Sequence, residues 1–66
     1  MNVTLNGQQK KFNSATSLNN LITETCKGKN HVIAEVNGSI IKRQEWDKRT
    51  ISDGDTIELV NIVGGG

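Results

Sequence analysis

The sequence has no second cysteine. Cys26 stands alone among 66 residues, so no internal disulfide can staple the chain. A chain this short buries only about 60% of the surface its unfolded form exposes. An apolar content of 33% then leaves a thin margin of stability and no room for an enclosed substrate cavity beside the core, so the fold must rest on regular packing. Long apolar runs are missing too. No stretch approaches the roughly 20 apolar residues of a membrane helix, and the N-terminus lacks the pattern of a signal peptide, which points to the cytoplasm. Charge of one sign is not in excess: the net charge is +1. The basic pairs Lys10-Lys11, Lys42-Arg43 and Lys48-Arg49 are separated by acids and form no stripe for nucleic acid. Asn2-Val3-Thr4 and Asn37-Gly38-Ser39 match the glycosylation pattern, but without a secretory signal they are chance matches.

What is there is a series of short, clearly punctuated elements. Val3 and Leu5 alternate with Asn2 and Thr4, and Asn6-Gly7 is a strong signal for a two-residue hairpin turn. The returning strand, Gln8 to Asn13, is polar, with Phe12 as its anchor in the core. Ser17 is a helix N-cap, and Leu18, Leu21 and Ile22 then fall at i, i+3 and i+4 on one face. The helix should end near Cys26, with Gly28 as the left-handed cap residue. His31 to Val36 reads as a strand with Val32, Ala34 and Val36 on one side. Asn37-Gly38 turns the chain into a short strand from Ser39 to Ile41. Lys42 to Arg49 lacks strand periodicity and reads as a loop with one helical turn. Asp53-Gly54-Asp55 makes a tight turn before a last strand from Thr56 to about Ile62.

The predicted order is β-β-α-β-β-β. The helix must cover one face of a single sheet, because nothing else in the chain can bury Leu18, Leu21 and Ile22. This is an α+β roll of the ubiquitin-like, β-grasp kind: one mixed sheet packed on one helix, spanning residues 1–63. Residues 64–66 are left as a flexible C-terminal glycine tail.

Three glycines in succession disfavour regular structure, since each loses more backbone freedom on ordering than any other residue. Extended, they reach at most about 10 to 11 Å. That is enough to place the terminal carboxylate in another protein's active site, and the missing Cβ atoms let the backbone pass a narrow channel. A terminal carboxylate is an anion at neutral pH, with an ordinary pKa of about 3.3 to 3.7, and is a poor electrophile. Coupling to the α-phosphate of ATP would activate it. The chain has neither a Walker-type phosphate loop nor a catalytic cluster, so a separate ATP-using enzyme is implied. The plainer alternative, a merely disordered terminus, is weakened by the apolar Ile62-Val63 that runs straight into the glycines.

Taken in order, these motifs resemble the ThiS family, the bacterial sulfur carriers of thiamin biosynthesis. The resemblance covers essentially the whole chain: Leu5-Asn6-Gly7, Ser17-Leu18-x-x-Leu21-Ile22, Ala34-Glu35-Val36-Asn37-Gly38, Ile51-x-Asp53-Gly54-Asp55-x-Ile57-Glu58 and Ile62-Val63-Gly64-Gly65-Gly66. Lys42-Arg43 departs from the family, where a proline or a single basic residue often follows the short strand. The resemblance implies that Gly66 is adenylylated by a ThiF-like enzyme at the expense of ATP. Gly66 then becomes a thiocarboxylate with sulfur from a cysteine-derived persulfide donor, and passes that sulfur to thiazole synthase. Gly64 and Gly65 would be the channel-fitting segment, and the protein a co-substrate with no bound cofactor rather than an enzyme. Besides a ubiquitin-like modifier joined to lysines, two alternatives stand beside this reading. One is a molybdopterin-type carrier, which shares fold and tail but tends to be longer. The other is a β-grasp module that binds protein or RNA through its sheet, with an incidental tail.

The remaining singular residues have structural readings. Cys26 is expected to be a small packed residue rather than a sulfur relay. His31 lacks companions at metal-ligand spacing, Trp46 anchors its loop on the core, and Asp53 and Asp55 are turn residues short of a calcium loop. In the last strand Ile57, Leu59, Asn61 and Val63 share one face, and Thr56, Glu58, Val60 and Ile62 the other. Val60 and Ile62 either form a docking patch beside the tail or pack on a neighbouring strand.

Overall fold

Asn6 and Gly7 take left-handed backbone, with φ of 49° and 81°, and Asn37 and Gly38 repeat this with 52° and 86°. Positive φ at both central positions matches the strand twist in two-residue hairpins, and asparagine followed by glycine adopts it at the least steric cost. The computed structural model describes residues 1–26 and 31–61. In it the first turn joins β1 (Asn2–Leu5) to β2 (Gln8–Lys11), and the second joins β4 (Val32–Val36) to β5 (Ser39–Ile41). β2 is two residues shorter than the alternation suggests. Phe12 still closes the hairpin: its amide donates to the Met1 carbonyl at 2.8 Å and its ring packs against the core.

The main sheet has the order β2-β1-β7-β4-β5, with β7 spanning Thr56–Asn61. β1 runs parallel to β7, and the other pairs are antiparallel, so the sheet is mixed as expected. A second, two-stranded ladder pairs β3 (Thr16–Ser17) with β6 (Thr50–Ile51) and adds two strands to the expected order.

Helix α1 (Leu18–Thr25) lies on one face of the sheet through Leu18, Leu21 and Ile22, all buried. Full burial of each such side chain contributes about 1.5 to 3 kcal/mol. These three meet Val3, Leu5, Ala34, Val36, Trp46, Ile51, Ile57 and Leu59 in a single core. The first three amides of the helix, which have no partner inside it, are each satisfied. Leu18 donates to the Arg49 carbonyl at 2.8 Å, Asn19 to the Trp46 carbonyl at 3.1 Å, and Asn20 to Ser17 Oγ at 3.1 Å. The helix closes at Cys26, whose amide donates to the Ile22 carbonyl and whose side chain is half-buried against the core. The cap expected at Gly28 lies outside the described residues.

The loop after β5 contains the anticipated helical turn, a 3₁₀ segment over Arg43–Glu45. Trp46 follows it and is 2% exposed, with Nε1 donating to the Ile41 carbonyl at 3.0 Å. A buried indole needs such an acceptor for its single donor. The tryptophan therefore anchors the loop.

Candidate functional site

Strand β7 is central in the sheet and is the last described element before residues 62–66. Its alternation is as the sequence predicts: Ile57 and Leu59 are buried, and Thr56, Glu58 and Val60 face solvent. Gly66, expected as the carrier, Gly65 and Gly64, expected as the channel-fitting segment, and Ile62, expected in the docking patch, lie outside the described residues. Val60 is described and is 53% exposed.

The sheet's register shows what surrounds Val60. Ile33 is its cross-strand partner and Glu35 is that of Glu58, while Ile40 on β5 is paired with Glu35. Ile33, Ile40 and Val60 are 39%, 67% and 53% exposed, and they are the large exposed apolar residues among those described. They gather on the solvent side of three adjacent strands, with two glutamates between them. The alternation in β4 marks Ile33 as an outward residue. Its placement beside Val60 depends on the register, which local sequence does not contain.

Two asparagines fix the geometry of β7. Asn6 Oδ1 accepts the Leu59 amide at 2.7 Å and the Asn6 amide donates to the Ile57 carbonyl at 2.9 Å, extending the β1–β7 ladder past the end of β1. Asn37 clamps the other end: Oδ1 accepts the Thr56 amide at 2.9 Å and Nδ2 donates to Asp55 Oδ1 at 3.0 Å. Asp55 is the one buried polar residue among those described, and its second oxygen accepts the Ser52 amide at 2.8 Å. Burial by itself would push the Asp55 carboxyl up. The Ser52 amide, the Asn37 carboxamide and the charge of Arg49 outweigh it and hold the carboxyl below its ordinary value. Asp55 is thus a turn residue, as expected, and also a weld between the β4–β5 turn and the start of β7. Asp53 belongs to the same turn, its Oδ1 accepting the Asn2 amide at 2.6 Å.

Elsewhere a shallow groove of about 370 Å³ is lined by Ile40, Ile41, Lys42, Glu45, Lys48 and Arg49. Its side chains pair no nucleophile with a base. His31 is exposed in a turn. Among the described residues no three His, Cys, Asp or Glu side chains gather as a metal site would need, and no helix is long and apolar enough to cross a membrane. The described surface thus carries an exposed apolar face with two glutamates beside a central strand.

The model of the ThiS family matches residues 3–66. Among curated proteins the chain is 34% identical over 62 residues to the uncharacterized protein ycf40 of Trieres chinensis, covering 94% of this chain and 85% of that one. It is 27% identical over 66 residues to a thiazole synthase of Paramagnetospirillum magneticum, and there the whole chain spans 20% of the relative. Among solved structures, the crystal structure of the thiamine biosynthesis protein ThiS from Geobacter metallireducens superposes with a TM-score of 0.85 at 29% identity, covering all of both chains. An NMR structure of a thiamine biosynthesis protein from the same organism gives 0.81 at 29% identity, over all of this chain and 88% of that one. The α+β roll read from the sequence is the ubiquitin-like β-grasp fold of these ThiS structures.

Proposed function

The chain belongs to the ThiS family, and from that premise we propose that it is the sulfur carrier of thiazole formation in thiamin biosynthesis, acting through Gly66. The observation that carries this reading is the extent of the family match, which runs through the final three glycines. A thiazole synthase that contains a segment matching the whole chain supports thiazole synthase as the recipient of the sulfur.

In this reading the Gly66 carboxylate attacks the α-phosphorus of ATP in the active site of a ThiF-like enzyme, and pyrophosphate leaves. The acyl-adenylate is attacked at its carbonyl carbon by the terminal sulfur of a cysteine-derived persulfide, and AMP leaves. A thiolate then attacks the donor cysteine's sulfur in the resulting acyl disulfide, forms a new disulfide with it, and expels the Gly66 thiocarboxylate. All of this chemistry belongs to partners, because no described side chain of this domain is arranged as a nucleophile with its base. ATP is the partner's substrate, the domain is a protein co-substrate, and the cytoplasm is where these reactants meet. Gly64 and Gly65 thread the partner's channel while a patch that includes Val60 and Ile62 docks outside it.

Mass spectrometry of the protein after incubation with a ThiF-like enzyme, ATP and a persulfide donor tests the proposal. The expected species is heavier by the exchange of one oxygen for one sulfur, located on Gly66 by fragmentation. Its absence under conditions in which the same enzyme loads another ThiS protein would overturn the reading.

A further inference from the structure

Glu35 and Glu58 are directly opposed across the antiparallel β4–β7 pair. Both point away from the core, since the alternate residues Ala34, Val36, Ile57 and Leu59 are buried. Glu58 is exposed and Glu35 half-buried. Like charges opposed in this way oppose folding. None of the side-chain hydrogen bonds among the described residues relieves either one. Apolar surface frames them: Ile33 and Val60 form the next cross-strand pair, and Ile40 lies beside Glu35 on β5. Two carboxylates opposed in this way, set inside the exposed apolar residues among those described, have the layout of a binding centre rather than of a solvated surface.

We propose that this face docks on a partner protein that inserts an arginine between Glu35 and Glu58, with apolar side chains around it to cover Ile33, Ile40 and Val60. The proposal rests on the docking reading above and adds the chemistry that selects the partner. Side chains directly opposed on a sheet have Cβ atoms about 4.5 to 5.5 Å apart, so one planar guanidinium can offer separate N–H donors to both carboxylates. Its weak hydration and flat faces also suit an apolar surround better than an ammonium does. A second copy of this chain is disfavoured, because a two-fold pairing of this face would set four carboxylates against one another. Nucleic acid is disfavoured because its phosphates would meet the same charges.

The test is calorimetric titration of the intact protein into two probes, the ThiF-like enzyme and thiazole synthase, at several salt concentrations. Glu35→Gln, Glu58→Gln and the double variant are compared with wild type. The double variant should bind at least one probe more weakly by roughly ten-fold or more. Its affinity should depend less steeply on salt, and its thermal midpoint should not fall below that of wild type, a combination that a structural role for the glutamates would not give. Val60→Asp separates the two readings. If Val60→Asp loses binding while the double variant binds both probes as wild type does, the docking face stands and the arginine proposal is overturned. If Val60→Asp also binds both as wild type does, the docking reading fails and takes this one with it. Self-association of the free wild-type protein that Val60→Asp abolishes, read by sedimentation, would make a second copy the occupant and equally overturn the proposal.

Discussion

At Asn37 a left-handed backbone coincides with two side-chain hydrogen bonds, one to the Thr56 amide and one to Asp55 Oδ1. The two demands can be separated. Asn37→Gly keeps the backbone conformation available and removes only the bonds, leaving one buried oxygen of Asp55 without its donor. The expected cost is about 1 to 3 kcal/mol, measurable by urea denaturation. A cost near zero would mean that water replaces the carboxamide. Asp55 gives a matching pH prediction. Its carboxyl sits below the ordinary value of 3.8 in the folded protein, because the Ser52 amide, Asn37 and Arg49 together outweigh the opposing effect of burial. A folded value below the unfolded one means stability that is fully present above the unfolded value and is lost as pH falls through the folded one. Stability should therefore decline below pH about 4. Asp55→Asn should flatten that part of the curve in urea melts between acid and neutral pH; an unchanged slope there would assign the acid sensitivity to other carboxylates.

The elements differ in how far local sequence determines them, and the start of helix α1 shows both extremes. Its apolar face was legible from the spacing of Leu18, Leu21 and Ile22, and its cap from Ser17, because both follow from helix geometry within one turn. The donors of the first turn were only partly legible: Ser17 takes the Asn20 amide, but Leu18 and Asn19 rely on carbonyls of Arg49 and Trp46, some thirty residues away. Since the cap satisfies one donor of three, Ser17→Ala should cost about 1 kcal/mol rather than unfold the domain. A shift in the urea midpoint with unchanged slope would report this, whereas a fall in the slope would mean that the loop detaches with the cap. The Asn-Gly hairpins were readable for the same local reason as the helix, a backbone conformation that few residue types adopt. The β3–β6 ladder was not. Two residues show no alternation, and Thr16–Ser17 pairs with Thr50–Ile51 only because the helix and the loop after β5 bring them together. The contact face divides in the same way: Val60 was legible as an outward residue of β7, while its neighbours Ile33, Glu35 and Ile40 come from strands whose register with it is tertiary.

On the scale of the whole molecule, sheet order gives the C-terminal segment its mechanical setting. β7 lies third of five strands, paired with β1 on one side and β4 on the other, so the strand that leads into residues 62–66 is held at the centre of the fold. The core residues among those described run from Val3 to Leu59, and neither Gly65 nor Gly66 has a side chain to add to them. Folding and chemistry should therefore separate cleanly. Deleting Gly65 and Gly66 should leave the urea midpoint unchanged and preserve binding through the solvent face of β4, β5 and β7. Formation of the adenylate and the thiocarboxylate should be lost, because the new terminal carboxylate at Gly64 falls short of the reacting position by about 7 Å, the span of two extended residues. Parallel measurement of stability, partner affinity and thiocarboxylate yield on the shortened protein decides the matter. If the yield survives, the terminal glycines are not the carrier; if stability falls instead, they belong to the fold.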